Sequence, residues 1–261
     1  MRSVADLYLP ESGIEEVVLD VAGKLELSPI IKDAVSKVAD SLQRNETMVS
    51  YRGRRSNGGK LVLECDEIDY ATNLAMLKGL IPREGLMPVC VLGVPEITEG
   101  IAIGVLLDVY SSGKVQGVPA GTVNLDELKP ETMRVLDGFH NELFEETGLQ
   151  KHEIPEIRFL GMVYDRQHNQ LAAAYRYKTG MNHYGLSIRM AGAPRHREYS
   201  RITSLPKDPV TLALFAQAEG DVLPVLPHCK GAVMLYGLQE FPGSEILNKL
   251  IGKEERIFGY F

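Results

Sequence analysis

A chain of 261 residues, 44% hydrophobic and 24% charged, is long enough for two domains, or for one domain with a substantial N-terminal extension. Its formal charge of -7 argues against a duplex-binding role, because an acidic surface repels a phosphate backbone. No apolar run approaches the roughly 18 residues of a membrane span, and MRSVADLYLPESG lacks the apolar segment of a signal peptide, so a cytoplasmic protein with no membrane partner is expected.

The first clear element is SPIIKDAVSKVADSLQRN (28–45). Its apolar residues Ile30, Ile31, Ala34, Val35, Val38 and Leu42 form one helical stripe, with Ser28 as cap and Pro29 in the first turn. MVSYRGRRSNGGKLVLEC (48–65) reads as a hairpin turning at Asn57-Gly58, and 69–81 as a second helix. The segment IPREGLMP marks a boundary, giving a small mixed α+β part over 1–85 and a larger part over 86–261. Two buried strands follow, PVCVLGVPEI and GIAIGVLLDVY, with a turn near Glu99-Gly100 and another at SSGK.

A glycine-containing loop (118–130) leads into an acidic helix, with Pro130 in its first turn and Gly148 as its C-terminal cap. Strands are then predicted over 157–165, 171–180, 184–192 (YGLSIRMAG) and 231–238 (GAVMLYGL). Helices are predicted over 208–220 and 243–252. Strands and helices mixed in this way give an α/β or α+β chain. The three cysteines, Cys65, Cys90 and Cys229, are too few and too widely spaced for a zinc or disulfide framework, so reduced thiols are expected.

The acidic helix raises the sharpest chemical question. HNELFEETGL (140–149) places Glu142, Glu145 and Glu146 one turn apart on one face, where like charges repel. Either water screens them as an ordinary solvated face, or a cation lies between them. Three convergent carboxylates suit a hard divalent ion such as magnesium or manganese, which would leave positions for water and phosphate oxygens.

The stretch Glu142-Leu143-x-Glu145-Glu146-x-Gly148-Leu149 resembles the second half of the Nudix box. That box reads Gly, five residues, Glu, seven residues, then Arg-Glu-U-x-Glu-Glu-x-Gly-U, with U aliphatic. The loop Val118-Pro119-Ala120-Gly121 and the phrase Phe159-Leu160-Gly161 are also similar to family features, and the resemblance spans roughly 86 to 242. It implies an α/β/α sandwich, with Glu142, Glu145, Glu146 and the Gly121 carbonyl as ligands of Mg2+ or Mn2+.

The implied activity is hydrolysis of a diphosphate linkage in a nucleoside diphosphate joined to another moiety, of the NDP-sugar or ADP-ribose type. A nucleotide-binding or regulatory protein without catalysis is the alternative. The base would be one of the three glutamates or Glu240. Arg195, Arg197 and Tyr164 are candidates for substrate binding, with Asp165 and His168 as further cleft residues. His140 reads as a packing or solvent-facing histidine, and Arg52, Arg54 and Arg55 as ordinary surface. An N-terminal domain in this family can dimerise or shape the substrate site, so a homodimer is compatible.

Three positions depart from the box. Asn141 stands where it has Arg, Met133 where it has the upstream Glu, and Gly121 lies six residues further upstream than the consensus glycine. Replacing the Arg and Glu together avoids stranding one charge. Glu127 or Glu131 could substitute for the lost acid, and spacing leaves the choice open.

Overall fold

Asn57 and Lys60 face each other across a two-residue loop made of Gly58 and Gly59. Both loop residues have positive φ (56° and 81°), as a tight hairpin turn with right-handed twist requires. The turn therefore sits one residue beyond Asn57-Gly58. This geometry comes from a computed structural model, in which residues 5–10, 13–107, 114–196, 198–217 and 224–253 are described.

In chain order the elements are β1 (Ala5–Tyr8), β2 (Glu16–Lys24), α1 (Pro29–Ala39), β3 (Thr47–Asn57), β4 (Lys60–Asp69), α2 (Tyr70–Leu77), β5 (Val89–Ile97) and β6 (Gly100–Leu106). Then come β7 (Val115–Gln116), β8 (Ala120–Thr122), α3 (Val135–Thr147), β9 (Ile157–Asp165), β10 (Gln170–Lys178) and α4 (His183–Ala191). The described part ends with β11 (Tyr199–Leu205), α5 (Pro209–Gln217), α6 (Pro227–Glu240) and α7 (Glu245–Lys253).

The large sheet runs β1-β9-β10-β5-β6-β11, with β7 beside β6 and β8 beside β5. It is mixed: β10 and β5 are parallel, and the other pairs are antiparallel. One face carries α3, whose Phe139 and Leu143 pack with Val89, Val91 and Tyr177. The other carries α6, whose Val233 and Leu235 pack with Leu92, Leu160 and Ala174. The result is a helix–sheet–helix sandwich, the expected fold class. Each large side chain buried in it contributes roughly 1.5–3 kcal/mol.

A smaller sheet, β2-β4-β3, sits beside it with α1 and α2. Its Val17, Leu61 and Cys65 belong to the same buried cluster as Val89 and Phe139. The edge strand of the large sheet comes from residues 5–8. These contacts cross the boundary proposed at 85/86.

Several elements differ from the sequence reading. YGLSIRMAG is not a strand but α4, capped by the Asn182 side chain and burying Leu186 and Met190 four residues apart. GAVMLYGL lies inside α6, which is buried along most of its length, so no polar stripe marks its helical period. α3 begins at Val135 rather than near Pro130, because Lys129 to Met133 form turns. α1 stops at Ala39, and its Ile30 is exposed while Val35 and Val38 are buried. The SSGK turn falls largely outside the described residues. No described helix is long and apolar enough to cross a membrane.

Candidate functional site

α3 buries Val135, Phe139 and Leu143 at four-residue intervals, and that face fixes the rotation of the helix. Glu142 and Glu146 flank the apolar row and are buried with it, while Glu145 is partly exposed. Gly148 ends the helix at φ 70°, its N–H bonding the Phe144 carbonyl at 2.8 Å, as expected of a left-handed cap.

A positive group does lie between two of the glutamates. Arg195 Nη1 is 3.2 Å from Glu142 Oε2, and its Nη2 is 2.7 Å from Glu145 Oε2. Glu146 turns away from it. Its carboxylate accepts the Ala120 N–H at 3.1 Å and the Tyr199 hydroxyl at 2.6 Å. Burial pushes the Glu142 carboxyl up to about 8; Arg195 opposes the shift, and Glu145, Glu198 and Glu127 add to it. Glu146 is pushed well above the carboxylate range, mainly by burial, and Glu145 is raised for the same first reason. Desolvation outweighs the arginine at Glu142, as it does for a nearly buried carboxylate facing a half-exposed partner.

The missing box residues have a local replacement. Asn141 Nδ2 donates to the Glu127 carbonyl at 3.2 Å and lies 3.4 Å from its Oε2. Of the two acids named from spacing, Glu127 is thus the partner, and Glu131 is exposed. Met133 sits in the loop before α3 at φ 46°, where its carbonyl accepts the Leu19 N–H at 2.9 Å.

Gly121, on β8, lies against Glu142 so closely that an added Cβ would come 2.2 Å from the carboxyl carbon. Beside it opens a cleft of about 560 Å³ lined by Cys90, Gln116, Gly121, Thr122, Arg195 and His228 among others. None of the three glutamates is among its lining residues, but Arg195, which pairs with two of them, is.

The chain is similar to Nudix hydrolases of known structure. Tm1382, a candidate Nudix hydrolase, shares 12% identity over 74% of this chain and 99% of its own, with a TM-score of 0.43. A MutT protein from Methanosarcina mazei Go1 shares 17% identity over 60% and 93%, with a TM-score of 0.36. A candidate Nudix hydrolase family member from Chromobacterium violaceum shares 17% over 67% and 93%, with a TM-score of 0.35. No protein-family model and no curated protein matches the chain.

Against the Nudix expectation, two observations bear on whether the glutamates fit a divalent ion. The Arg195 guanidinium already bridges Glu142 and Glu145, and the missing Cβ at Gly121 leaves room for the Glu142 carboxylate itself beside the β8 backbone. The donor set is all oxygen, which suits magnesium or manganese. The residues fit the ion.

Other predicted site residues are placed elsewhere. Glu240 ends α6, bonded to Arg176 and 3.0 Å from Lys207 Nζ, and does not line the cleft. Its carboxyl is held below the usual range by Lys207 and Arg176, although burial opposes them, so it is committed to an ion-pair network. Tyr164 donates to Asn169 Oδ1 at 2.6 Å and also lies off the cleft wall. Arg197 falls outside the described residues. His140 packs edge-on to Phe139, and burial pushes its imidazole down to about 4. Arg55 is paired with Asp20 and Glu64, and Arg52 with Asp66. All three cysteines are free thiols.

Two residues the sequence did not single out belong to the site. Tyr199 reaches Glu146 from β11. His228, in the first turn of α6, lies 3.1 Å from Asp165 Oδ2, with His168 Nδ1 2.8 Å from the same oxygen. Among the described residues, Asp165, His168 and His228 form the group whose ligand atoms lie within 4.8 Å of one another. No spacing rule links positions 63 residues apart.

Proposed function

We propose that the chain is a Nudix-type hydrolase that uses Mg2+ or Mn2+ to cleave a diphosphate linkage in a nucleoside diphosphate joined to another moiety, such as an NDP-sugar or ADP-ribose. The reading rests on one arrangement: Glu142 and Glu145 share the guanidinium of Arg195, which lines a cleft, with Glu142 pressed against the Gly121 backbone. Glu142, Glu145, Glu146 and the Gly121 carbonyl would hold the metal, which supplies charge neutralisation at the phosphates and a more acidic water.

The chain's own groups do the rest. Tyr199 and the Ala120 N–H fix Glu146, and Asn141 with Glu127 braces the outer side of the helix. Glu145, the most accessible of the three, accepts the proton of the attacking water. The water oxygen bonds to phosphorus, the bridging P–O bond breaks, and its electron pair leaves with the second phosphate. Arg195 lines the cleft and would turn its guanidinium fork from Glu142 and Glu145 to a phosphate oxygen pair. We infer a cytoplasmic enzyme with a small nucleotide-type substrate, and a homodimer is compatible with this reading.

The test is release of nucleoside monophosphate from a panel of NDP-sugars and ADP-ribose with magnesium or manganese. Glu145→Gln should lower kcat by roughly 100-fold or more. No turnover on any member, together with unchanged metal affinity in Glu145→Gln, would overturn the proposal.

One observation favours a second reading, a nucleotide-binding protein without catalysis: Arg195 already neutralises Glu142 and Glu145. It predicts ligand-dependent thermal stabilisation with no product formed.

A further inference from the structure

We propose that Asp165, His168 and His228 form a second metal site, selective for a zinc-type transition-metal dication, with His228 on the cleft wall. The inference is independent of the hydrolase reading, because none of these residues belongs to the glutamate helix or its loop.

The three side chains come from two places in the fold. Asp165 ends β9, His168 lies in the turn before β10, and His228 is the second residue of α6. Asp165 Oδ1 accepts the backbone N–H groups of Gln167 at 2.8 Å and His168 at 3.1 Å. That leaves Oδ2 to face both imidazoles, with His168 Nδ1 at 2.8 Å and His228 Nδ1 at 3.1 Å. Asp165 is fully buried, and His168 and His228 are mostly so.

The spacing accommodates an ion as well as it does protons. Metal–ligand bonds of about 2.0–2.1 Å, meeting at angles between 90° and tetrahedral, separate neighbouring ligand atoms by roughly 2.9–3.4 Å. A dication would take the place of the two Nδ1 protons once both imidazoles turn from Oδ2 toward it, with all three ligand atoms already within 4.8 Å of one another. Two nitrogens and one carboxylate oxygen are the ligands of zinc, manganese, iron or cobalt rather than of magnesium, which prefers oxygen.

The turn that carries two of the ligands is braced from outside. Asn169, at φ 54°, donates to the Arg83 carbonyl at 3.0 Å and to the Leu86 carbonyl, and accepts the Tyr164 hydroxyl at 2.6 Å. Arg166 is held by Asp6, 2.8 Å from its Nε, and Arg83 donates to the Gln167 carbonyl. None of these contacts uses a ligand atom. Such outside support keeps a three-ligand set in place before an ion arrives.

Three protein ligands would leave coordination positions open, and His228 lines the cleft. Cys90 lines the same cleft. Its thiol is pushed up by burial first, then by the charges of Asp165 and Glu142.

The experiment uses the full chain, stripped with chelator and titrated with zinc and then cobalt. One zinc per chain should bind in wild type and in Glu145→Gln, with cobalt giving the visible absorption of a nitrogen-ligated ion. His228→Gln should lose that absorption and weaken zinc by more than the roughly 10- to 100-fold typical of losing an outer-shell partner. Wild type without the absorption, or His228→Gln retaining it, would overturn the proposal. Zinc-edge X-ray absorption on wild type needs no variant and guards against misfolding of His228→Gln. Two nitrogen neighbours support the site, and an all-oxygen shell overturns it.

Discussion

Arg195 grips Glu145 twice. Its Nη2 lies 2.7 Å from the Glu145 carboxylate, and its backbone N–H donates to the Glu145 carbonyl, also at 2.7 Å. The second bond satisfies one of the carbonyls that the C-terminal turn of α3 would otherwise leave open, and so it ties the loop after α4 to the glutamate helix.

Because the guanidinium occupies the space between Glu142 and Glu145, it competes with any ion those carboxylates bind. Arg195→Ala should tighten manganese binding about fivefold, close to 1 kcal/mol once solvent screening at the half-exposed guanidinium is allowed for, and lower the melting temperature of the metal-free protein. The same variant should raise KM for a diphosphate substrate by roughly tenfold, since a charge-assisted contact to phosphate is lost. Calorimetric titration and steady-state kinetics read the two effects separately. Unchanged manganese affinity would show that the arginine is no competitor.

Gly121→Ala tests the cradle. A methyl group cannot stand 2.2 Å from the Glu142 carboxyl carbon, so the carboxylate or β8 must move. Displacement of a metal-holding group by about 1 Å costs on the order of 100-fold in turnover, and that is the expected loss of kcat. Circular dichroism should stay native, because the change is confined to one side chain and the short strand β8. A variant with wild-type kcat would remove Glu142 from the reaction.

The raised carboxyl of Glu142 has a consequence for stability. Its folded value is about 8 and its ordinary value 4.5. Between them the folded protein holds a proton that the unfolded chain has released, so stability falls as pH rises across that window. Metal-free protein should lose melting temperature between about pH 5 and pH 8, and Glu142→Gln, neutral throughout, should flatten part of that slope. Added manganese should restore most of the loss at the alkaline end, where the ionised carboxylate is its ligand. Equal slopes in wild type and Glu142→Gln would contradict the assignment.

Tyr199→Phe removes the hydroxyl that stands 2.6 Å from Glu146 and 3.1 Å from the Gly117 carbonyl. Both groups are buried, so the variant should be destabilised by about 1–3 kcal/mol in denaturant unfolding. A change under half of that would mean that Glu146 finds another partner.

The legible and illegible parts of the sequence divide along physical lines. The hairpin, the α3 C-terminus at Gly148 and the buried strands β5 and β6 carried local signals: paired glycines, a left-handed cap, unbroken apolar runs. GAVMLYGL failed because a helix packed on several sides shows no polar stripe, and its valine, methionine and tyrosine suit a strand equally well. The glutamate triplet was visible through its spacing on one helix. Its partners were not, since Arg195 and Tyr199 reach α3 from loop and strand segments about 50 residues further on. The meeting of Asp165 with His228 depends on β9 and α6 packing against one sheet, which no local pattern encodes.

β1 contributes four residues to the large sheet, yet it is the outermost strand beside β9. Proteolytic trimming past Tyr8 would uncover the hydrogen-bonding edge of β9 from Met162 to Asp165 and strip Arg166 of its Asp6 partner. An unpaired edge invites another chain to add its own strand, so the trimmed protein would tend to polymerise edge to edge.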